Sequence, residues 1–244
     1  MGRLAGKTAL VTGGARGQGA AHGLRLAGEG AAVILGDILE DAGEAHAKEL
    51  REAGHDVHFV RLDVTSPQDW SAAVELAESR FGQLDVLVNN AGVVRVAPIV
   101  EESDDGWQTT MAVNATGVFY GMRAAIPALR RNDGGAIINI ASIYGPVGAP
   151  NYVAYTASKG AVLAMTKVAA LEHAQHRIRV NAICPGPVRS PMSEQEGDAS
   201  VEITPLRRRA EPEEISAAVA FLASDDALYI TGAELAVDGG YLAR

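Results

Sequence analysis

Short apolar runs alternate with longer amphipathic runs from one end of this chain to the other. The short runs are apolar at nearly every position, so a strand formed by one of them must be covered on both faces. The longer runs repeat apolar residues at helical spacing, which leaves one polar face for solvent. Strands joined by amphipathic helices build a parallel sheet with helices on both sides. The pattern therefore predicts an α/β fold with a doubly wound parallel sheet.

The boundaries of these runs give the predicted elements. The strands are Thr8–Val11, Ala32–Leu35, Val57–Leu62, Val86–Val88, Ala136–Ile140, Ile178–Ile183 and Glu234–Val237. The helices are Gly17–Gly30, Glu40–Ala53, Pro67–Phe81, Trp107–Arg131, Asn151–His173 and Pro212–Ala223.

A chain of 244 residues fits one domain of this class, and no linker-like segment divides it. We therefore expect residues 1–244 to form a single domain. The least regular stretch is 189–209, which shows no clear period. It is predicted to be a loop that covers a binding site, and an ordinary surface excursion is the alternative.

Charge and residue usage exclude several classes of partner. The net charge of -9 argues against nucleic acid and against an anionic membrane surface. The single Cys184 cannot form an internal disulfide, Met1–Gly6 lacks an apolar run, and no run approaches the roughly 18 residues of a membrane span. His173 and His176 have no acidic or thiol cluster beside them, so no metal site is predicted. We expect a cytoplasmic protein.

A glycine-rich turn follows the first predicted strand, at Thr12–Gly19. Gly13, Gly17 and Gly19 let the backbone turn tightly and approach a pyrophosphate, which can then bind at the N-terminus of the next helix. Arg16 and Gln18 belong to the same turn. The spacing departs from the common G-x-G-x-x-G pattern, but its place in the first βα turn predicts a dinucleotide site. A glycine turn without a ligand is the alternative.

Asp37 follows the second predicted strand. A carboxylate at this position accepts both hydroxyls of an adenosine ribose and repels a 2′-phosphate, so it selects NAD over NADP. Arg16 acts in the opposite direction, because a basic residue in the glycine turn could receive that phosphate. We give Asp37 more weight and predict NAD. A helix N-cap is the alternative role for Asp37.

Tyr155 and Lys159 are four residues apart, so on a helix their side chains share one face. A phenol needs its pKa of about 10 lowered by roughly 3 units to exchange protons near neutrality, which requires about 4 kcal/mol. An ammonium about 5 Å away supplies roughly 3 kcal/mol at an effective dielectric constant of about 20. The pair therefore predicts a proton-transfer group; a Tyr and a Lys on a solvated helix face are the alternative. Tyr152 and Tyr144 are less well placed for coupling to Lys159.

These features occur in an order that resembles the short-chain dehydrogenase/reductase family over nearly the whole chain. The resemblance rests on Thr12–Gly19, Asp63-Val64, Asn89-Asn90-Ala91-Gly92, Asn114, Ser142, Tyr155-x-x-x-Lys159 and Pro185-Gly186. The chain looks most like bacterial NAD-dependent hydroxysteroid dehydrogenases and also like 3-oxoacyl-carrier-protein reductases. The family implies a Rossmann-type sheet with strand order 3-2-1-4-5-6-7 and a homotetramer.

The resemblance also implies a role for each matching residue. Tyr155 is the acid or base of a hydride-transfer reaction between nicotinamide and a secondary alcohol or ketone, Ser142 hydrogen-bonds the reacting oxygen, and Lys159 lowers the Tyr155 pKa. Asn114 anchors a water relay behind Lys159. The cofactor-binding residues are Gly13, Arg16, Gly17, Gln18, Gly19, Asp37, Asp63, Val64, Asn90, Ala91, Gly92, Tyr155, Lys159, Pro185, Gly186, Val188 and Ser190.

The substrate is expected to be an apolar ketone or secondary alcohol, and a hydroxysteroid is one candidate. The residues expected to contact it are Ser142, Tyr144, Tyr152, Tyr155 and Met192, in a wall completed by Val93, Val94, Ile143, Val147 and Pro187. The alternative enzyme is a 3-oxoacyl-carrier-protein reductase that uses NADPH. The alternative from another class is a nucleotide-sensing scaffold without catalysis.

Overall fold

A computed structural model describes residues 2–193 and 199–243, which contain one parallel sheet in the order β3-β2-β1-β4-β5-β6-β7. The strands are β1 Thr8–Thr12, β2 Ala32–Asp37, β3 Val57–Arg61, β4 Val86–Asn89, β5 Gly135–Ile140, β6 Ile178–Pro185 and β7 Glu234–Val237. The helices are α1 Gly17–Gly28, α2 Glu40–Glu52, α3 Pro67–Phe81, α4 Asp104–Met111, α5 Gly117–Arg131, α6 Val153–His173, α7 Ala199–Ile203 and α8 Pro212–Ala223. The predicted fold class and strand order are confirmed.

Each face of the sheet is buried in its own core, because successive strand residues point to opposite sides. Leu10 of β1 belongs to the core beneath α3, α5 and α6, together with Trp70. Its neighbour Val11 belongs to the opposite core, together with Leu26 of α1 and Ile215 of α8. All five side chains are at most 1 % exposed. This two-sided burial accounts for the near-continuous apolar strands of the sequence.

Residues at the ends of helix α3 fix its position, and α3 in turn holds a segment that lines the main cavity. Ser66 caps the helix by accepting a hydrogen bond from Asp69 N at 3.2 Å, and Pro67 occupies the first turn. Gly82 ends it with a φ of 83°. On the buried face, the Trp70 indole nitrogen donates to the carbonyl oxygen of Val64 at 2.9 Å. That bond holds the chain just after β3, where Val64 lines the main cavity.

The predicted helix Trp107–Arg131 has a different form in the structure. α4 and α5 are joined by a π-helical turn at Ala112–Thr116, and Asn114 is buried inside it. A π turn inserts one extra residue into a helix, and such turns are frequent at functional sites. The side chain of Asn114 is bound to the backbone of Val93, outside the helix. Apolar periodicity cannot reveal this turn, because the residues around it continue the helical pattern.

The segment 189–209 is an excursion whose two ends pair with each other. Val188 and Ala210 form an isolated parallel bridge, and Arg189 N donates to Ala210 O at 2.9 Å. The short helix α7 lies within it and was not predicted. Residues 194–198 of the predicted loop lie outside the described residues. Within the described parts of the chain, no helix has the length and apolar character needed to cross a membrane.

Candidate active site

The strand order reverses between β1 and β4, and parallel sheets bind ligands at the carboxyl ends of the strands beside such a point. A cavity of about 460 Å³ opens there. Every residue predicted to bind the cofactor lines it: Gly13, Arg16, Gly17, Gln18, Gly19, Asp37, Asp63, Val64, Asn90, Ala91, Gly92, Tyr155, Lys159, Pro185, Gly186, Val188 and Ser190. Residues drawn from five strand ends and from α6 thus line one space.

The glycine turn is packed so closely that side chains are excluded from it. A Cβ added at Gly19 would lie 2.0 Å from Gly13 O, and one at Gly13 would lie 3.0 Å from Ala91 Cα. Gly13 also has a φ of 67°, which favours glycine. Thr12 Oγ1 accepts from Asn90 N at 3.0 Å and from Ala91 N at 3.1 Å, so the ends of β1 and β4 are joined.

The turn leads into the N-terminus of α1, which begins at Gly17. Its N-cap residue, Arg16, makes no side-chain capping bond. The first N–H groups of a helix need acceptors, and a pyrophosphate oxygen satisfies them. The tight turn and this helix end therefore fit the phosphates of a dinucleotide.

Asp37 stands at the carboxyl end of β2 and binds backbone with both oxygens. Oδ2 accepts from Ala15 N at 3.0 Å, and Oδ1 accepts from Leu39 N at 3.0 Å. A carboxylate has about four acceptor sites, so two remain for the hydroxyls of a ribose. Leu39, not Asp37, is the N-cap residue of α2, which removes the capping alternative. The bond to Ala15 holds the carboxylate against the glycine turn.

The cavity has apolar lining residues beside Asp37 that no motif indicated. Ile38 and Leu39 follow Asp37 and line the cavity, as Val64 does, although both are exposed hydrophobic residues. Leu62 lines it as well and is buried. Exposed large apolar residues beside a cavity are the signal that could have identified Ile38 and Leu39.

Tyr155 and Lys159 lie on α6, one turn apart, and both are buried. Lys159 Nζ is 5.7 Å from the centroid of the Tyr155 ring and donates to Ile140 O at 2.7 Å. Burial lowers the pKa of Lys159 to about 8. The ammonium form therefore predominates at neutral pH. The buried, paired geometry excludes the alternative of two residues on a solvated helix face.

Ser142 follows β5 and lines the same cavity as Tyr155. Its Oγ accepts from Tyr144 N at 3.1 Å, and the neighbouring Ile143 N donates to Pro185 O at 3.1 Å. With an acceptor site of Oγ used by the backbone, the hydroxyl hydrogen can be donated into the cavity. The serine is thus placed to donate to an oxygen bound beside Tyr155.

Asn114 does not line the cavity and is fully buried behind it. Oδ1 accepts from Val93 N at 2.8 Å, while Nδ2 donates to Val93 O at 2.8 Å and to Ser158 Oγ at 3.1 Å. Ser158 Oγ in turn donates to Tyr155 O at 2.7 Å. Asn114 therefore braces the helix that carries Tyr155 against the loop after β4. The predicted water relay stays a prediction.

On the substrate side, Tyr144 and Met192 line the cavity, as do Val93, Val94, Ile143 and Pro187. Tyr152 and Val147 do not line it; the Tyr152 ring packs behind, with its centroid 5.2 Å from that of Tyr144. Direct contact between Tyr152 and a substrate stays a prediction. The sequence interpretation missed several lining residues: Val113, Ile140, Ala141, Pro191, Ser193 and Ser200.

The described residues show neither a cluster suited to bind a metal ion nor a reactive thiol. No group of three or more His, Cys, Asp or Glu side chains that could hold a metal occurs among the residues 2–193 and 199–243. Cys184 is buried, and burial raises the pKa of its thiol to about 11. A thiol with so high a pKa is a poor nucleophile.

In comparisons with known proteins, the chain is similar to several alcohol dehydrogenases. The family model described as enoyl-(acyl carrier protein) reductase matches residues 13–242. Cyclopentanol dehydrogenase of Comamonas testosteroni is 45% identical over 100% of both chains. The 3-alpha-(or 20-beta)-hydroxysteroid dehydrogenase of Mycobacterium tuberculosis strain ATCC 25618 / H37Rv is 48% identical, over 99% of this chain and 92% of the relative. Trans-4-hydroxycyclohexanecarboxylate dehydrogenase of Sinomonas cyclohexanicum is 46% identical, over 98% and 93%.

A crystal structure from Sinorhizobium meliloti 1021, described as a short-chain alcohol dehydrogenase, superimposes with a TM-score of 0.93. It is 35% identical, and the match covers 98% of each chain.

Proposed function

The chain belongs to the short-chain dehydrogenase/reductase family, and from this premise we propose that it is an NAD-dependent dehydrogenase for secondary alcohols on apolar rings. The observation that carries the proposal is that Ser142, Tyr155 and Lys159 line the same cavity, with Lys159 Nζ 5.7 Å from the Tyr155 ring centroid. This set can exchange a proton with an alcohol oxygen. A nucleotide-sensing scaffold would have no need of it.

The residues around the cavity fit a nicotinamide dinucleotide. The glycine turn and the start of α1 would hold the pyrophosphate, Asp37 the adenosine ribose, and Lys159 the nicotinamide ribose. Asp63 and Val64 would flank the adenine, Asn90, Ala91 and Gly92 would line the adenosine and its ribose, and Val188 and Ser190 would hold the carboxamide, with Pro185 and Gly186 beneath. When bound, the nicotinamide supplies hydride transfer to and from the carbinol carbon.

The protein's own contribution is to hold and move the proton. During alcohol oxidation, Tyr155 Oη accepts the proton of the substrate hydroxyl; during ketone reduction it returns that proton. Ser142 Oγ donates to the substrate oxygen and stabilises the charge that develops there. The Lys159 ammonium favours the tyrosinate form by its charge. Asn114 is a positioning residue, because it acts through Ser158 and the helix backbone.

Asp37 supports NAD as the cofactor. Its carboxylate is held by Ala15 N and Leu39 N at the rim of the glycine turn, and a fixed negative charge there would repel a 2′-phosphate. Removing that charge with Asp37→Ala should improve the kcat/KM ratio of NADPH to NADH by at least about tenfold, since one unscreened unit of repulsion at an effective dielectric constant of about 20 is worth several kcal/mol at contact. A wild type that prefers NADPH would instead favour the 3-oxoacyl-carrier-protein reductase.

The apolar substrate wall supports a ring alcohol without charge. Val93, Val94, Ile143 and Met192 surround the space beside Ser142. The three relatives described above are named for cyclopentanol, trans-4-hydroxycyclohexanecarboxylate and hydroxysteroids. All three are ring alcohols, and the second also carries a carboxylate. A hydroxysteroid is the largest substrate that we propose for this chain.

The testing experiment incubates the wild type with NAD⁺ and a panel of alcohols while NADH formation is recorded. The panel contains cyclopentanol, cyclohexanol, a 3α-hydroxysteroid, an aliphatic secondary alcohol and a 3-hydroxyacyl thioester. We expect the ring alcohols to have the highest kcat/KM. Turnover of the thioester alone would reject the substrate assignment, and turnover of none would reject the enzymatic function.

A further inference from the structure

Four tyrosine rings form a connected cluster at the substrate end of the cavity. Tyr144 is at its centre, with ring centroids at 5.2 Å to Tyr152, 6.5 Å to Tyr155 and 6.3 Å to Tyr241. The planes of Tyr144 and Tyr155 cross at 85°, and those of Tyr144 and Tyr241 at 71°. These are edge-to-face contacts, which the ring quadrupole favours. Tyr144 is therefore held between the proposed proton-transfer phenol and a residue near the C-terminus.

Tyr241 is carried by a tightly bonded turn after β7. The Asp238 carboxylate accepts from Gly240 N and from Leu242 N, each at 2.8 Å. Gly239 O accepts from Leu206 N at 3.2 Å, which attaches the turn to the segment after α7. Such doubly bonded turns leave the backbone little freedom to shift. The Tyr241 ring is thus presented to Tyr144 from a firm support.

The same turn is continuous with the floor of the cofactor cavity. Gly186 N donates to Val237 O at 3.0 Å, and a Cβ added at Gly186 would lie 2.8 Å from Asp238 Cα. Gly186 lines the cavity. The position of Tyr241 is therefore set relative to the cofactor cavity as well as to the substrate wall.

Tyr241 does not line the cavity itself and contacts a residue of the cavity wall, Tyr144. Tyr144 and Tyr155 line the cavity, whereas Tyr241 is absent from the lining. The backbone of Tyr144 is held by the bond from its N–H to Ser142 Oγ at 3.1 Å, and its partly buried ring packs against the rings of Tyr152, Tyr155 and Tyr241. Loss of the Tyr241 ring would open space on the side of Tyr144 away from the cavity. The Tyr144 ring could then swing outward and widen the substrate pocket.

We propose that Tyr241 is a positioning residue that sets the width of the substrate pocket through Tyr144. It makes the pocket selective for small ring alcohols over large ones. The proposal rests on the proposed function, since selectivity is defined by the alcohols that the enzyme oxidises. It goes beyond that function by assigning substrate size discrimination to a side chain outside the cavity.

The test compares Tyr241→Ala and Tyr241→Phe with the wild type, using the smallest and the largest ring alcohol that the wild type oxidises. Tyr229→Ala is the matched control, because Tyr229 is fully exposed. One aromatic edge contact is worth about two- to tenfold in an equilibrium. The alanine variant should therefore lower the small-to-large ratio of kcat/KM by about two- to tenfold, chiefly through the KM of the small alcohol. The phenylalanine and Tyr229 variants should keep the wild-type ratio.

A second readout is independent of turnover. NADH affinity, measured by fluorescence titration, should stay within about twofold of the wild type in every variant, because Tyr241 does not touch the cofactor cavity. If Tyr241→Ala does not fold, Tyr241→Leu replaces it and should give the same direction of change.

Two results would overturn the proposal. One is an unchanged ratio in the alanine variant, including an equal loss for both alcohols. The other is a phenylalanine variant as impaired as the alanine variant, which would assign the effect to the hydroxyl instead of the ring. If the wild type oxidises no alcohol while binding NADH, the proposed function itself fails, and the inference fails with it.

Discussion

At the scale of single residues, Lys159 lies in an environment that disfavours its charged form. The ammonium is buried, and burial lowers its pKa to about 8 from 10.5. Its ammonium donates a hydrogen bond to Ile140 O. A site selected for stability alone would hold an apolar side chain here. The buried cation, 5.7 Å from the centroid of the Tyr155 ring, therefore supports the proposed role of its charge in proton transfer.

This environment predicts a pH-dependent difference in stability. Because the folded pKa lies below the unfolded one, the unfolded chain binds more protons between pH 8 and pH 10.5, and stability contributed by this group rises with pH in that window. Relative to Lys159→Met, the wild type should gain about 3 kcal/mol of unfolding free energy between those limits. Urea unfolding of both proteins at several pH values measures the difference. A difference independent of pH would show that Lys159 is not desolvated.

Lys48→Met is the control for that series. Lys48 lies on α2 with a side chain that is 70% exposed. Water surrounds such an ammonium in both states, so its replacement should produce no slope in this window.

At the scale of elements, the contact between α1 and α8 contains a buried histidine. His22 Nδ1 lies 2.8 Å from Ser216 Oγ, and Ser216 Oγ donates to Pro212 O at 2.9 Å. The hydroxyl hydrogen is therefore used, and His22 must donate through Nδ1–H. Nε2 is then the acceptor nitrogen; it is buried and has no hydrogen-bond partner among residues 2–193 and 199–243. Burial lowers the pKa of His22 to about 3.

The α1–α8 contact should consequently weaken in acid. The unfolded chain binds a proton at His22 below its ordinary pKa of 6.5, while the folded chain does not until about pH 3, so stability is lost as pH falls through that window. Between pH 6.5 and pH 4.5 the wild type should lose about 2 to 3 kcal/mol relative to His22→Asn, which keeps a donor for Ser216 but cannot titrate. Unfolding curves at the two pH values measure this. Parallel losses in both proteins would contradict the account.

The elements also show what a sequence can and cannot predict. α3 could be predicted with both ends because Ser66, Pro67 and Gly82 mark them chemically. The π turn around Asn114 could not, since it exists through bonds to Val93, a residue distant in sequence. The same holds for the contact of Tyr241 with Tyr144, which depends on how β7 and the segment after α7 pack. A sequence motif predicts structure that residues close in the chain determine. Contacts between residues distant in the chain leave no such motif, so they cannot be predicted in this way.

At the scale of the whole molecule, the two long helices α5 and α6 leave large apolar side chains exposed. Val168 and Leu171 of α6 are 55% and 83% exposed, and Phe119 of α5 is 44% exposed. β7 is an edge strand of the sheet and pairs with β6. Contiguous exposed apolar residues mark protein interfaces. These observations support the homotetramer that we propose from family resemblance.

Light scattering after size exclusion should therefore give four times the chain mass of 25.4 kDa. Leu171→Glu should lower the mass, because a charge would be buried at the interface. Val100→Glu is the matched control, since Val100 is 88% exposed but lies outside α5 and α6. A wild-type mass of one chain would reject the tetramer.

The central claim is that a buried ammonium makes the Tyr155 hydroxyl a proton donor and acceptor for an alcohol oxygen. Tyr155→Phe removes that one oxygen and keeps the ring that packs on Tyr144 and Tyr152. The most direct test is to measure NADH affinity and alcohol turnover of this variant beside the wild type. We predict an NADH Kd within about threefold of the wild type, because the lost contact is a single hydrogen bond, and a kcat at least about a hundredfold lower. Turnover comparable to that of the wild type, with NADH bound normally, would contradict the claim.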